Sequence, residues 1–218
     1  PSALIAEAWL QAAEGHLTGA VGTAVRAADL AAESGQRAIE LLALHAAARF
    51  GDRTCLQRLI DVATVIGGPL GEADAAHAAG LMNNDAAQVY SAALEFERAG
   101  ALLSAADAAA QASSMFEAAG KRRQALEAAA TADRLANDCG GLQTPALRVT
   151  SHPLPLSARE WEIANLVARG LTNRDIAERL VVSSRTVEGH LYRMFAKLNI
   201  ADREELGKLI RPDDGPGV

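Results

Sequence analysis

The chain has 218 residues, of which 50% are hydrophobic, 22% charged and only 4% aromatic. This is the balance of a globular protein with enough residues for two domains, and no apolar run approaches the roughly 20 residues of a membrane-spanning helix. The net charge of −6 argues against nonspecific binding of the whole chain to nucleic acids or membranes. The acidity belongs to residues 1–154, which hold 11 Lys/Arg and 17 Asp/Glu, whereas residues 155–218 hold 10 of each.

Residues 1–139 are predicted to form an all-α region of eight helices. Alanine, which has the highest helix propensity, is abundant here, and glycine or asparagine, which end helices in the left-handed conformation, recurs at intervals. The breaks lie near Gly15, Gly35, Gly51, Gly67, Asn83, Gly100, Gly120 and Gly140.

The eight predicted helices form four pairs that recur at a regular spacing in the sequence. Segments that begin near Leu17, Arg53, Asp85 and Lys121 recur every 32 to 36 residues, close to the tetratricopeptide period. The pattern resembles a degenerate tetratricopeptide solenoid, in which neighbouring repeats share a core and leave a long surface for partners. The predicted fold class is therefore all-α, with tetratricopeptide-like helical repeats followed by a separate four-helix domain.

Residues 140–155 are predicted to be a Pro/Gly linker. Gly140 and Gly141 end the last repeat helix, and Pro145, Pro153 and Pro155 are expected to prevent a new one. The tail, residues 212–218, is rich in Pro, Gly and Asp and is predicted to be disordered.

The cysteines and most histidines are not arranged in the sequence as a catalytic or metal-binding site. Cys55 and Cys139 lack Cys or His partners at metal-ligand spacing, so two free thiols in a reducing cytosol are predicted, with a single disulfide as the alternative. His16, His45, His77 and His152 are expected to be isolated packing or surface residues. The chain begins at Pro1 without a signal peptide, and we interpret it as a cytoplasmic fragment of a longer protein. It is predicted to bind no cofactor or metal and not to be an enzyme.

Residues 156–211 are predicted to form a domain of four short helices. Their start signals are Ser157 with Glu160, Thr172 with Asp175, Ser183 or Ser184, and Asp202. The first two pairs have the form of capping boxes, in which a hydroxyl and an acid satisfy backbone N–H groups reciprocally.

The third helix of this domain carries the functional signal. Val187, Leu191, Met194 and Leu198 give an apolar stripe for the core, while the opposite stripe holds Arg185, Glu188, Gly189, Tyr192, Arg193 and Ala196. Such a stripe suits insertion into the major groove of DNA, because it offers donors, an acidic acceptor and a small residue that permits close approach. The hydroxyls of Ser183, Ser184 and Thr186 lie at a helix N-terminus, which attracts phosphate.

Leu156–Arg203 resembles the LuxR/FixJ-type (GerE-like) helix-turn-helix domain without gaps. The matching residues are Leu156, Arg159, Glu160, Gly170, Asn173, Ile176, Ala177, Leu180, Ser183, Thr186, Val187, His190, Lys197 and Leu198. In that family the helix after the turn reads DNA and the last helix forms a dimer contact. The resemblance places the motif at about residues 172–191 and implies base reading by Glu188, Gly189 and Tyr192. It also implies backbone contacts by Arg185, Thr186 and Lys197.

The complete set of predicted DNA-binding residues combines the pattern with the resemblance. It consists of Thr172, Asn173, Ser183, Ser184, Arg185, Thr186, Glu188, Gly189, Tyr192, Arg193 and Lys197. Many family members have Lys where this chain has Glu188. An acid there can accept a hydrogen bond from cytosine but does not attract phosphate.

The whole arrangement resembles the C-terminal part of large ATP-binding LuxR-family regulators related to the maltose activator. No GxxxxGK[ST] pattern occurs, so the resemblance implies a nucleotide-binding module upstream of Pro1. The leading hypothesis is a transcription regulator that binds double-stranded DNA as a homodimer, on half-sites about one helical turn apart. The repeats would sense a protein or small-molecule effector, or serve as a scaffold. The alternatives are a tetratricopeptide-type adaptor whose helix-turn-helix only dimerises, and a promoter-binding module like region 4 of sigma factors.

Overall fold

The structure is a computed structural model that describes residues 1–151, 156–198 and 200–210. Within these ranges, the side chains of residues 149–151, 158 and 208–210 are not described. All regular secondary structure in the described part is α-helical, which confirms the predicted class. The chain divides into two compact units, residues 1–153 and 154–218.

The first unit contains the eight helices that the sequence predicts. They are α1 (Ser2–Ala13), α2 (Leu17–Glu33), α3 (Arg37–Arg49), α4 (Leu56–Ile66), α5 (Gly68–Met82), α6 (Ala86–Arg98), α7 (Leu102–Ala118) and α8 (Arg122–Asp138). The residues between them include Gly15, Gly35, Gly51, Asn84, Gly100 and Gly120, all with positive φ. The predicted left-handed helix ends are therefore present.

Successive helices of this unit pack against one another through small side chains. The interior is built mainly of alanine, and α3 and α7 are buried on nearly every side. Gly80 of α5 also permits close packing of helices, since a Cβ there would lie 2.8 Å from the backbone nitrogen of Val89 on α6. Because α3 and α7 also contact each other, this part of the unit's inner face is filled rather than left as a long free surface.

A ninth helix, α9 (Pro145–Ser151), lies inside the predicted linker. The expectation that the prolines prevent a helix after Gly141 is wrong. Pro145 stands at the first helical position, where the missing N–H would have had no partner and the fixed φ suits the helix. Thr144 precedes it, and the Thr144 hydroxyl accepts a hydrogen bond from the backbone N–H of Leu147 at 3.2 Å.

Helix α9 is packed onto α7 and α8. Leu147 is 1% exposed and belongs to the core formed by α5 to α8. The Thr144 hydroxyl donates to the carboxylate of Asp107 on α7, and the Arg148 guanidinium donates to the backbone oxygen of Ala13 at the end of α1 (3.1 Å). The last helix of the unit is thereby bonded to the first.

A largely buried arginine joins these contacts between α3 and α7. Arg49 of α3 donates from Nε to Asp107 (2.7 Å) and from Nη2 to the backbone oxygen of Leu103 (3.3 Å). Its guanidinium carbon lies 4.5 Å from the centre of the Trp9 ring. Burial raises the pKa of Asp107, although Arg49 and Thr144 oppose this shift. A buried cation with such partners has its charge and its donors largely satisfied.

Two histidines that are far apart in sequence meet beside this arginine. The rings of His45 (α3) and His77 (α5) lie 5.6 Å apart, and that of Phe96 lies 5.2 Å from His45. The Nδ1 atom of His45 lies 3.1 Å from Asp74 Oδ1. The expectation that these two histidines are isolated is wrong, although both have the predicted packing role.

The hydrogen bonds of Gln111 fix the tautomer of His77. The Gln111 amide nitrogen donates to the backbone oxygen of Ala48 (3.1 Å), so its Oε1 accepts from His77 Nε2 (2.7 Å). Neutral His77 therefore carries its proton on Nε2. Its Nδ1 atom is buried and has no partner among the described residues.

The remaining observations concern the cysteines, candidate metal-ligand clusters and membrane-spanning helices, and the residues that the structure does not describe. Cys55 and Cys139 are both free thiols. Within the described ranges, no three His, Cys, Asp or Glu side chains are placed to hold a metal ion, and no helix is long and apolar enough to cross a membrane. His152 and the predicted tail, residues 212–218, lie outside the described residues, as do the linker residues 152–155.

The second unit contains the four predicted helices. They are α10 (Ala158–Ala168), α11 (Asn173–Leu180), α12 (Ser184–Leu198) and α13 (Arg203–Ile210). Both predicted capping boxes are formed, and Asp202 accepts from the backbone N–H groups of Glu204 and Glu205. Helix α10 packs against α12 and α13, so its buried residues form the centre of the unit.

Candidate nucleic-acid interface

Helices α11 and α12 form a helix-turn-helix. Three residues, Val181 to Ser183, separate them, a length typical of this motif. Val181 ends α11 in the left-handed conformation, with φ 53° and ψ 49°, and the backbone N–H of Val182 donates to Ala177 at 3.0 Å. The turn is therefore closed by backbone hydrogen bonds, which fixes the direction in which α12 leaves it.

Burial along α12 follows the two predicted faces except at Leu198. Val187, Leu191 and Met194 are at most 6% exposed, whereas Leu198, also predicted for the apolar stripe, is half-buried. The opposite face is exposed along its whole length, and it consists of Arg185, Glu188, Gly189, Tyr192, Arg193 and Ala196. Tyr192 is 78% exposed, and neither Arg185 nor Glu188 makes a hydrogen bond or ion pair with a described residue. Their side chains are free to contact a ligand.

Hydroxyl groups mark the start of α12. The Ser183 hydroxyl accepts from the backbone N–H of Thr186 (3.1 Å), and the two hydroxyl oxygens lie 2.8 Å apart. Both residues are exposed, and Ser184 between them is half-buried. Ser183 is therefore the predicted N-cap, and the hydroxyls lie at the positive end of the helix dipole.

Thr172 and Asn173 have partners within the unit. The Thr172 hydroxyl donates to Asp175 (2.6 Å) and accepts from the Asp175 backbone N–H (3.2 Å). The Asn173 carbonyl oxygen accepts from Arg203 (2.8 Å), which also donates to the backbone oxygen of Leu171. Sequence reasoning missed Arg203, because only the packing of α13 beside the start of α11 brings it there.

Lys197 and Arg193 also bond within the unit. The Lys197 ammonium lies 2.7 and 2.8 Å from the two oxygens of Glu160 on α10. Arg193 donates to the backbone oxygen of Gly189 (3.0 Å), one turn earlier. His190 is half-buried, and burial together with the positive charge of Arg193 lowers the pKa of its imidazole. The sequence assigned Glu160 to the capping box alone and gave no signal for its ion pair.

The geometry defines a helix-turn-helix unit, and comparison with known families shows which one. Residues 154–209 match the family of bacterial regulatory proteins of the luxR type. They form a LuxR-family helix-turn-helix domain, in agreement with the resemblance seen in Leu156–Arg203.

Curated relatives match stretches of 51 to 65 residues of the chain. The oxygen regulatory protein NreC of Staphylococcus epidermidis is 46% identical over 65 residues, which are 29% of this chain and 30% of NreC. A putative HTH-type transcriptional regulator of Mycobacterium tuberculosis is 49% identical over 51 residues, 23% of this chain and 6% of the relative. The HTH-type transcriptional regulator MalT of Vibrio cholerae is 41% identical over 51 residues, with the same two shares.

These similarities cover a limited part of each protein. The chain spans less than a third of the length of the relatives it matches. No solved structure matches the chain.

Proposed function

We propose that this chain binds duplex DNA through α12 and regulates transcription. The observation that carries the proposal is the exposed face of α12 opposite its buried stripe, in a domain of the luxR family. A helix with one face in the core and a polar face free is the element that enters the major groove in helix-turn-helix proteins. The curated relatives named as transcriptional regulators support the same role.

Residue roles follow from position along α12. Arg185 and the hydroxyls of Ser183, Ser184 and Thr186 lie at the start of the helix, where phosphates are attracted by cations and by the helix dipole. Glu188 and Tyr192 lie one and two turns further along the exposed face. They are proposed to contact base edges, with Glu188 accepting from a cytosine amino group.

The other predicted contact residues have supporting roles in this proposal. Thr172 and Asn173 lie at the start of α11, where a helix-turn-helix meets the DNA backbone, and their present hydrogen bonds orient them. Arg193 lies beyond Tyr192 on the exposed face and is proposed to reach a phosphate by releasing its contact with Gly189. Lys197 differs from these residues because its ammonium group already binds both carboxylate oxygens of Glu160.

The first unit is proposed to act as a sensor or interaction scaffold for the DNA-binding unit. Within the described residues of the first unit, nine packed helices enclose the ion pair of Arg49 and Asp107 and form a compact unit of their own. Helical repeats commonly bind partners. Homodimeric binding to two related half-sites is part of the proposal, since this geometry is usual for helix-turn-helix regulators.

Selection of bound sites from a random duplex pool tests the DNA-binding proposal with the whole chain. We expect enrichment of a short motif, and two related half-sites about one helical turn apart if a dimer binds. An adaptor that uses its C-terminal unit only to dimerise would enrich no sequence. That result would overturn the proposal.

Glu188→Ala is expected to change the preference at one base pair of the selected site. Discrimination there should fall by roughly 1–3 kcal/mol if the carboxylate accepts from cytosine, while preferences at other positions persist. Fluorescence anisotropy with single-base variants of the site measures the effect. Arg185→Ala is the matched comparison, since loss of a phosphate contact weakens all sequences alike and lowers the salt slope by about one unit. An unaltered preference for Glu188→Ala would exclude base reading by this residue.

A further inference from the structure

The pairing between Lys197 and Glu160 joins the end of α12 to the beginning of α10. The Glu160 side chain is 4% exposed and that of Lys197 43%. Both carboxylate oxygens lie within 2.8 Å of the Lys197 ammonium. One of them, Oε2, also accepts from the backbone N–H (2.8 Å) and hydroxyl (2.9 Å) of Ser157. The same carboxylate thus caps one helix and holds another.

The energetics of this pair favour a fixed geometry. Burial alone would raise the pKa of the Glu160 carboxyl, but hydrogen bonds from Lys197 and Ser157 lower it below its ordinary value. The carboxylate is therefore charged at neutral pH. A buried carboxylate that loses its cation is left with an uncompensated charge, which is strongly unfavourable. Lys197 is consequently held where Glu160 lies.

The position of Lys197 near the end of α12 allows its bond with Glu160 to fix the orientation of the helix. Val187, Leu191 and Met194 hold the helix against the core along one stripe, and this contact leaves the tilt of the far end to be set by other groups. Lys197 lies one residue before the end of α12 at Leu198. Its bond to the N-terminus of α10 fixes that end, while the Ser183 cap and the turn fix the beginning.

We propose that Lys197 is a positioning residue that sets the orientation of α12 for DNA binding, and that it does so through Glu160 rather than by contacting a phosphate. This inference rests on the DNA-binding function proposed above. It also explains why the Lys197 charge is neutralised within the unit, whereas Arg185 at the other end of the same helix has no partner among the described residues.

The salt dependence of DNA binding tests the proposal, because a phosphate contact and a positioning contact affect it differently. Affinity for the selected duplex is measured from low to high salt with the whole chain carrying Lys197→Met, Lys197→Arg or Arg185→Ala. We expect Lys197→Met to weaken binding about tenfold, as expected for loss of a charge-assisted hydrogen bond, with an unchanged salt slope. Lys197→Arg should retain the affinity of the parent chain, since a guanidinium can still reach both carboxylate oxygens of Glu160. Arg185→Ala should lower the slope by about one unit.

Glu160→Gln gives opposite results under the two assignments. If Lys197 positions α12, loss of its partner weakens DNA binding. If Lys197 is a phosphate ligand, loss of the competing carboxylate strengthens binding. Glu178→Gln is the control for charge alone, since Glu178 and its partner Arg174 are both largely exposed. The double variant Glu160→Gln/Lys197→Met should lose no more affinity than the weaker single variant.

Several outcomes would overturn the proposal. These are a slope reduced by about one unit in Lys197→Met, an affinity unchanged by that substitution, or a gain of affinity in Glu160→Gln. If Lys197→Met does not fold, as judged by circular dichroism, Glu160→Gln decides the question. Failure of the parent chain to bind any duplex would instead overturn the function on which the inference rests.

Discussion

Gly189 is an unusual residue for the middle of an exposed helix. It lies on the free face of α12, and a Cβ added there would meet nothing within 4 Å. Neither a turn nor tight packing within the protein therefore requires glycine. Glycine in a helix interior costs about 1 kcal/mol relative to alanine. If α12 binds DNA as proposed, a close approach of its backbone to the bases accounts for glycine at this position.

Gly189→Ala is expected to stabilise the second unit by about 1 kcal/mol and to weaken DNA binding. Denaturant unfolding followed by Trp161 fluorescence in a Trp9→Phe background measures stability, and anisotropy measures affinity. Gly22→Ala, with Trp9 as the probe in a Trp161→Phe background, is the matched control, since Gly22 is an exposed helical glycine of the first unit that also has open space around it. Unchanged DNA affinity in Gly189→Ala would show that this part of α12 does not approach DNA closely.

The exposure of single residues was largely predictable from the sequence, but their partners were not. The four-three-four spacing of the apolar residues in α12 predicted which side faces the core, because a helix fixes the direction of each side chain. The partners of Asn173 and Lys197 lie 30 and 37 residues away. Such pairs depend on how helices cross, which periodicity within one helix does not determine.

At the scale of elements, the turn of the helix-turn-helix contains a strained residue. Val181 is a β-branched residue in the left-handed conformation (φ 53°) and is 89% exposed. Non-glycine residues with this backbone are disfavoured, and asparagine tolerates it better than valine. No burial of the Val181 side chain offsets the strain, so the residue is retained at a cost in stability.

Val181→Asn is expected to raise the unfolding free energy of the second unit by about 1 kcal/mol. The change is measured by denaturant unfolding with Trp161 as the probe, in a Trp9→Phe background that leaves one tryptophan. Val65→Asn, followed by Trp9 in a Trp161→Phe background, provides the control, because Val65 is 78% exposed but has ordinary helical backbone in α4 of the first unit. A loss of stability in Val181→Asn would mean that the valine side chain makes a favourable contact.

Helix starts were the most predictable elements and the linker the least. A hydroxyl or acid at the N-cap acts on backbone groups two or three residues away, so Ser157, Thr172 and Asp202 were readable from local sequence. Helix α9 was missed because Pro145 was interpreted as a helix breaker rather than as a first residue. Its formation also depends on Thr144 reaching Asp107, a contact that spans 37 residues.

At the scale of the whole first unit, the buried histidines couple folding to pH. Burial lowers the pKa of His77 to about 4, below the ordinary value of about 6.5. Between these values the unfolded chain binds one more proton at this site than the folded chain, so stability falls as the pH falls. Burial lowers the pKa of His45 as well and raises that of Asp74 to about 7. These two shifts have opposite effects on stability.

His77→Gln is therefore expected to make the first unit less sensitive to acid. The amide can still donate to Gln111, but it does not titrate. Between pH 6.5 and 5 the unfolding free energy of the parent should fall by about 2 kcal/mol more than that of the variant. Trp9 fluorescence in a Trp161→Phe background follows the unfolding of this unit. Data at pH 8, where His77 is neutral in both the folded and the unfolded state, provide the reference. Identical pH profiles for the parent and the variant would contradict the lowered pKa of His77.

The bond between Arg148 and Ala13 distinguishes the first unit from an open stack of helical repeats. In an open stack each repeat touches only its neighbours, so repeats can be added or deleted and stability is close to a sum of local terms. Here α9 is tied to α1, and Arg49 of α3 to Asp107 of α7. Removal of one helical pair would separate partners at distant positions, so these contacts make the helices depend on one another and the unit is expected to melt in a single step.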